Sequence, residues 1–310
     1  MDDLARLRGW YAEDLRLRTP VRRNPAVVEA FAAVPRERFL GPGPWRILSD
    51  NRLDQPFETP DAAPHWLYHD VLVTIDPARR LNNGLPSFWA HNFDYLDLRR
   101  GERVLQVGAG TGYYSALLAE MVGPHGRVTA VEYDAALAAQ ARANLAPWRH
   151  VEVVAGDGRA HDPGEVDAVV AFAGSTHPAP LWLERLSEGG RLLIPLTGEN
   201  WWGFMLRGES DFDAETSLSR ANTATIALAA INAMTVPSGQ QANKTAAINA
   251  VTAAKNRAQN TQADAAASIA NMVTAINSLL AINPDPQEVL YKTGNLLLFY
   301  QALWTAKAPP

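Results

Sequence analysis

Residues 103–123 read RVLQVGAGTGYYSALLAEMVG. The apolar run Arg103–Val107 has the length and bounds of a buried strand, and Tyr113 to about Met121 carries a helical apolar pattern. Between them stand Gly108, Gly110 and Gly112. Glycine is needed where the backbone takes a positive φ or must approach a ligand closely. A glycine turn that leaves a strand and enters a helix builds a ligand site at the strand's C-terminal edge. The spacing is GxGxG, not the GxGxxG of pyrophosphate-binding dinucleotide folds. Taken alone, it also fits a plain tight strand–helix turn.

Downstream, the same alternation repeats. Arg127–Glu132 (RVTAVE) predicts a second strand, Ala135–Leu145 a helix, Val151–Val154 a third strand, Asp167–Phe172 a fourth and Arg191–Pro195 a fifth. Strands that are apolar throughout and joined by helices or crossover-length loops belong to a sheet covered on both faces. The expected fold class is therefore α/β, a doubly wound, mostly parallel, Rossmann-like sheet. Glu132 ends the second strand 20 positions after Gly112, the distance at which an acidic side chain reaches ribose hydroxyls. Asp157, in AGDG after the third strand, is placed to accept from an adenine amino group, with Gly156 and Gly158 letting the chain bend. Each acid has a plainer role when taken singly, Glu132 near a helix start and Asp157 in a turn. The ordered set of three points to an adenosine-bearing cofactor.

Upstream, Asn24-Pro25 opens a helix through Val27, Val28, Phe31 and Val34, and Pro35 ends it. Pro42, Pro44, Pro56, Pro60 and Pro64 then predict a loop-rich stretch without regular elements. His65 and His69 stand four apart, but no third ligand pattern or HExxH accompanies them, so no metal site is expected.

The chain has no cysteine, which excludes disulfide scaffolds, thiolate metal sites and a cysteine nucleophile. A net charge of -5 argues against a basic nucleic-acid surface. The charged start, MDDLARLRGW, is unlike a secretory signal, and no apolar run approaches a membrane span. A cytoplasmic protein without nucleic-acid or membrane partners is the expectation. These averages conceal a seam, because only 8 of the 61 charged residues lie beyond Arg220. From Ala221 to Leu280 the chain is rich in Ala, mixed with Asn, Thr and Gln. Two helices are expected there, over about 222–234 and 241–282, the second with Ala265, Ile269, Met272, Ile276 and Leu279 at a coiled-coil spacing. Oligomerisation through these C-terminal helices is the expected use. The strand pattern of WWGFMLR (201–207) wants an antiparallel partner, for which LLLFYQ (296–301) is the candidate.

Together, VLQVGAGTGYYSALLAEMVG, VTAVEYD, GDG, DAVVAFAG and LSEGGRLLIPL resemble the class I S-adenosylmethionine methyltransferases, and more closely the protein-L-isoaspartate O-methyltransferase family. AAVPRERFL (32–40) is similar to that family's N-terminal helix ending. The likeness covers about 17–207 and leaves the last ninety residues unmatched. It implies three parts: an N-terminal helical and acceptor-side region (1–95), an S-adenosylmethionine domain (96–210) and an Ala-rich helical extension (211–310). It further implies that Gly108, Gly110, Thr111 and Gly112 cradle the methionine portion of the cofactor. Glu132, with Tyr133 beside it, would bind the ribose, and Asp157 with Gly158 would face the adenine. The implied partner is a protein or peptide substrate.

One segment departs from the family. Its acceptor-side motif is a Ser-Gln-Pro-like run whose serine helps hold the isoaspartyl carboxylate. Here Gly84, Leu85 and Pro86 occupy those places. Asn82, Asn83 and Ser87, with the Gly174–Ser175 turn, are the replacement candidates on the acceptor side. Methyl transfer from a sulfonium is an in-line displacement that chiefly needs alignment and exclusion of water, so no catalytic dyad is expected. Two alternatives stay open at this point: an interaction protein on a degenerate methyltransferase fold, and a dinucleotide-dependent oxidoreductase.

Overall fold

The computed structural model describes residues 3–19, 21–49, 52–175, 178–197, 203–209 and 241–258, with single positions at 228, 232 and 278. The chain divides into two compact units, Met1–Pro163 and Gly164–Pro310.

The first unit opens with α1 (Asp3–Arg18), α2 (Ala26–Ala33) and a 3₁₀ turn at Arg36–Phe39. Asn24 starts α2 as its side-chain oxygen accepts from the Ala26 amide at 3.0 Å, and Pro35 follows its end. A four-stranded antiparallel sheet comes next: β1 (Arg46–Ser49), β2 (Arg52–Glu58), β3 (Leu72–Asp76) and β4 (Leu81–Asn82), in the order β2-β1-β3-β4. This corrects the expectation that prolines leave the stretch irregular, and the N-terminal region is not purely helical. Pro56 lies in β2 at the sheet's edge, where a residue without an amide hydrogen is tolerated. α3 (Pro86–Leu96) then packs against α1 and α2. The buried Asp94 on α3 accepts from the amides of Arg22, Arg23 and Asn24, tying the α1–α2 connection to it.

Next come β5 (Arg103–Val107), α4 (Tyr113–Val122), β6 (Arg127–Glu132), α5 (Ala135–Asn144) and β7 (Val151–Ala155). The three strands pair in parallel, Val107 beside Val131 and Val131 beside Val154. β5 and β6 are buried along nearly their whole length and mostly apolar, as strands covered on both faces are. Phe31, Phe39, Phe93, Leu105, Leu117, Leu118 and Met121 are fully buried and hold α2, α3 and α4 together. Each such side chain contributes about 1.5–3 kcal/mol.

The second unit holds β8 (Val166–Ala171), α6 (Pro180–Arg185), β9 (Leu186–Thr197), β10 (Gly203–Glu209) and α7 (Gln241–Ala258). β8 runs parallel to β9, and β10 pairs antiparallel to it with Met205 opposite Pro195. The strand expected near here is found over Gly203–Glu209, paired with the fifth strand itself. The 222–234 helix, the 265–279 seam and the LLLFYQ strand lie outside the described residues apart from positions 228, 232 and 278. No described helix is long and apolar enough to cross a membrane.

Candidate active site

β5, β6 and β7 end at one edge of their sheet, and the glycine turn closes that edge. Gly108, Gly110 and Gly112 have φ of +82°, +56° and +96°, in the region open to glycine. Their hydrogen bonds differ in purpose. The Gly108 amide donates to the Val131 carbonyl and joins the turn to β6, whereas the Gly110 amide donates to Glu132 Oε2 at 2.7 Å. At Gly112 a Cβ would meet Leu145 Cδ1 at 2.8 Å, so this glycine lets α4 pack on the end of α5. At Gly110 the same position has nothing within 4 Å, which leaves room for a ligand against the backbone. Thr111 is buried, and its carbonyl accepts from the Asn144 side chain at 3.0 Å.

Glu132 is 9% exposed and is held on both sides, Oε2 by the Gly110 amide and Oε1 by the Asp134 amide at 3.0 Å. Each carboxylate oxygen has a second lone pair, so capacity remains for two ligand hydroxyls. Tyr133, next in sequence, is 80% exposed and offers an open ring face. Asp157 follows β7. Its carboxylate is gripped by the Arg159 guanidinium at 2.7 and 3.0 Å and accepts from the Arg159 amide at 2.9 Å. The guanidinium, and then that amide, hold its pKa down at about 2. Gly158 packs where a Cβ would strike Val107 Cγ1 at 2.5 Å, bringing the chain close against the end of β5. An open glycine backbone, a carboxylate with spare acceptors, an aromatic face and a second acid together fit S-adenosylmethionine.

The acceptor-side candidates lie on the β4–α3 connection. Asn82 is exposed and closes the turn by accepting from the Gly84 amide at 2.9 Å. Asn83 is 7% exposed, and its side-chain carbonyl accepts from Arg36 Nη2 at 3.0 Å and the Val73 amide at 3.1 Å. Ser87 lies in the first turn of α3, its amide donating to Asp70 Oδ1 at 2.8 Å. Gly84 has φ +80°, and a Cβ there would meet Trp89 Nε1 at 2.8 Å and Tyr114 Cε2 at 3.2 Å. The turn is built around glycine and an aromatic wall. The Gly174–Ser175 turn belongs to the second unit, where Ser175 bridges to Leu196.

Sequence reasoning missed Arg36, fully buried and donating to the carbonyls of Leu67, His69 and Val71 as well as to Asn83. It also missed Arg79, which bonds Asp134 Oδ2 at 2.5 Å. The partners lie 31–55 residues away, so neither pairing had a local signal. His65 lies against the Trp66 ring, and among the described residues no cluster of three or more potential ligands could hold a metal.

The family model described as "Protein-L-isoaspartate(D-aspartate) O-methyltransferase (PCMT)" matches residues 56–223, just over half of the chain. The chain belongs to this family. It is an S-adenosylmethionine-dependent methyltransferase. It is 31% identical over 181 residues to a protein-L-isoaspartate O-methyltransferase of Ignicoccus hospitalis, covering 57% of this chain and 76% of that one. A relative of the same description from Aeropyrum pernix is 38% identical over 198 residues, 62% of this chain and 66% of that one. A solved protein-L-isoaspartate O-methyltransferase superposes with a TM-score of 0.56 at 23% identity, over 66% of this chain and 60% of that chain. This likeness shows the fold: α/β, mostly parallel and Rossmann-like.

Proposed function

We propose that this methyltransferase esterifies a carboxylate on a protein or peptide, using an acceptor turn rebuilt around Gly84. The observation that carries the second half is local. At Gly84 both the left-handed backbone and the 2.8 Å approach of the Trp89 indole leave no room for a side chain. The serine that the family resemblance assigns to this place therefore has no equivalent in the turn. Asn82 and Ser87 flank Gly84 and are the groups that meet the acceptor, while Asn83 anchors the turn from below through Arg36.

On the cofactor side, Gly108, Gly110, Thr111 and Gly112 bind the amino-acid portion along the turn, Glu132 accepts from the ribose hydroxyls, and Tyr133, Asp157 and Gly158 border the adenine. S-adenosylmethionine supplies an electrophilic methyl group on a sulfonium. The residues of the chain have only to align and to exclude water, since a carboxylate acceptor is already ionised at neutral pH and no base is needed. The same reading divides the chain into an acceptor-side region (1–95), a cofactor domain (96–210) and a helical extension (211–310) serving self-association, and places it in the cytoplasm.

The acceptor chemistry is tested with methyl-labelled S-adenosylmethionine and paired peptides containing isoaspartyl or aspartyl residues, alongside mixed proteins. Methyl esters release volatile labelled methanol in mild alkali; methylated nitrogen does not. Alkali-volatile label is expected, with weak preference for the isoaspartyl peptide. Label that stays non-volatile would overturn the carboxylate assignment. Strong isoaspartyl selectivity would show that the rebuilt turn did not change the acceptor.

A further inference from the structure

The β3–β4 hairpin leads to the acceptor turn, and its exposed tip is closed by several hydrogen bonds. Asp76 Oδ1 accepts from the amides of Ala78 at 3.0 Å and Arg79 at 3.2 Å, and Arg80 closes the turn in the left-handed region at φ +56°. Asp76 Oδ2 takes Arg79 Nε at 2.7 Å, which extends that side chain away from its own hairpin. Its far end, Nη1, reaches Asp134 Oδ2 at 2.5 Å.

Asp134 is equally fixed. It caps α5, with Oδ1 accepting from the amides of Ala136 at 2.8 Å and Leu137 at 3.0 Å, so its other oxygen is turned outward to the arginine. The Asp134 amide donates to Glu132 Oε1, and Glu132 Oε2 accepts from Gly110. A contact chain thus runs from the hairpin tip through Asp134 and Glu132 to the glycine turn. At the other end of the hairpin, Asn83 is held by Arg36 and by both backbone groups of Val73.

We propose that Arg79 is a positioning residue that fastens residues 77–84 to the cofactor strand, so that occupancy of the cradle and order of the acceptor turn rise together. An exposed ion pair usually contributes little, because two long side chains must be ordered to form it. Here both partners are already held by separate bonds to Asp76 and to the helix cap, so the pair acts as a link between elements 55 residues apart. The coupling is reciprocal: what orders Asp134 and Glu132 also orders the hairpin. This inference rests on the Gly110–Glu132 cluster being the cofactor site.

The test uses the full chain with S-adenosylhomocysteine as the probe. Its dissociation rate is measured by stopped-flow displacement for the wild type, Arg79→Ala, Arg79→Lys, Asp134→Asn and the double variant Arg79→Ala/Asp134→Asn. Hydrogen exchange of residues 77–84 is followed with and without probe. Asparagine keeps the helix cap while removing the charge, so Asp134→Asn isolates the link from folding. Dissociation should accelerate about tenfold in Arg79→Ala and Asp134→Asn, with no further gain in the double variant and partial recovery in Arg79→Lys. Probe-dependent protection of 77–84 should be present in the wild type and lost in Arg79→Ala. Rates within twofold of wild type, an Arg79→Ala effect that Asp134→Asn does not reproduce, or protection indifferent to the probe would each overturn the inference while leaving the cofactor assignment standing. A folded wild type that fails to bind the probe would overturn both.

Discussion

The glycine turn after β5 and the glycine turn before α3 use the same residue for opposite ends. At Gly110 the missing side chain leaves open space over a backbone amide that holds Glu132. At Gly84 the space is filled by Trp89 and Tyr114, and the backbone is pressed against an aromatic wall. The first glycine leaves its space open; the second lets the protein pack against its backbone.

The largest break in this comparison should come from Arg36→Met. The change removes the guanidinium that donates to the carbonyls of Leu67, His69, Val71 and Asn83, and should lower stability by about 3–5 kcal/mol in urea denaturation. A loss no larger than that of an ordinary surface substitution would show that the buried guanidinium does not hold these carbonyls.

Gly84→Ser should cost about 1–3 kcal/mol, from a non-glycine residue in the left-handed region and displacement of the Trp89 indole. Its melting temperature should fall, while affinity for S-adenosylmethionine stays within twofold of wild type. A variant that melts like the wild type and gains isoaspartyl methylation would erase the distinction between the two turns.

The smallest effect concerns Asp157. Its folded pKa of about 2 lies below the ordinary carboxylate value, so the Arg159 pairing stabilises the fold above about pH 4 and that contribution fades as pH falls towards 2. Asp157→Asn should lower stability slightly at neutral pH, flatten the profile in that window and match the wild type below about pH 2. An unaltered acid limb would show that the pair is not formed in solution.

The glycine turn and the acids beside it were legible in the sequence because their demands are local. Three glycines at positive φ, an acid at the end of β6 and a GDG after β7 each mark their own position. The four-stranded sheet was not legible, because proline reads as a breaker and only pairing at a sheet edge reveals that Pro56 can lie in a strand. The acceptor turn was legible only as a departure from a pattern. Asn83, an acceptor-side candidate from the sequence, is buried and bonded to Arg36, 47 residues earlier, a pairing with no local signal. Arg79 and Asp134 meet only once the hairpin and β6 are positioned in three dimensions.

The most direct test of the cradle is calorimetric titration of S-adenosylmethionine into the full chain and into Glu132→Ala, with NAD as the comparison ligand. The wild type should bind S-adenosylmethionine at one site and not NAD. Glu132→Ala should bind it more weakly by about 1–3 kcal/mol, the cost of losing the acceptors for the ribose. Unchanged affinity in Glu132→Ala, or binding of NAD in place of S-adenosylmethionine, would contradict the account.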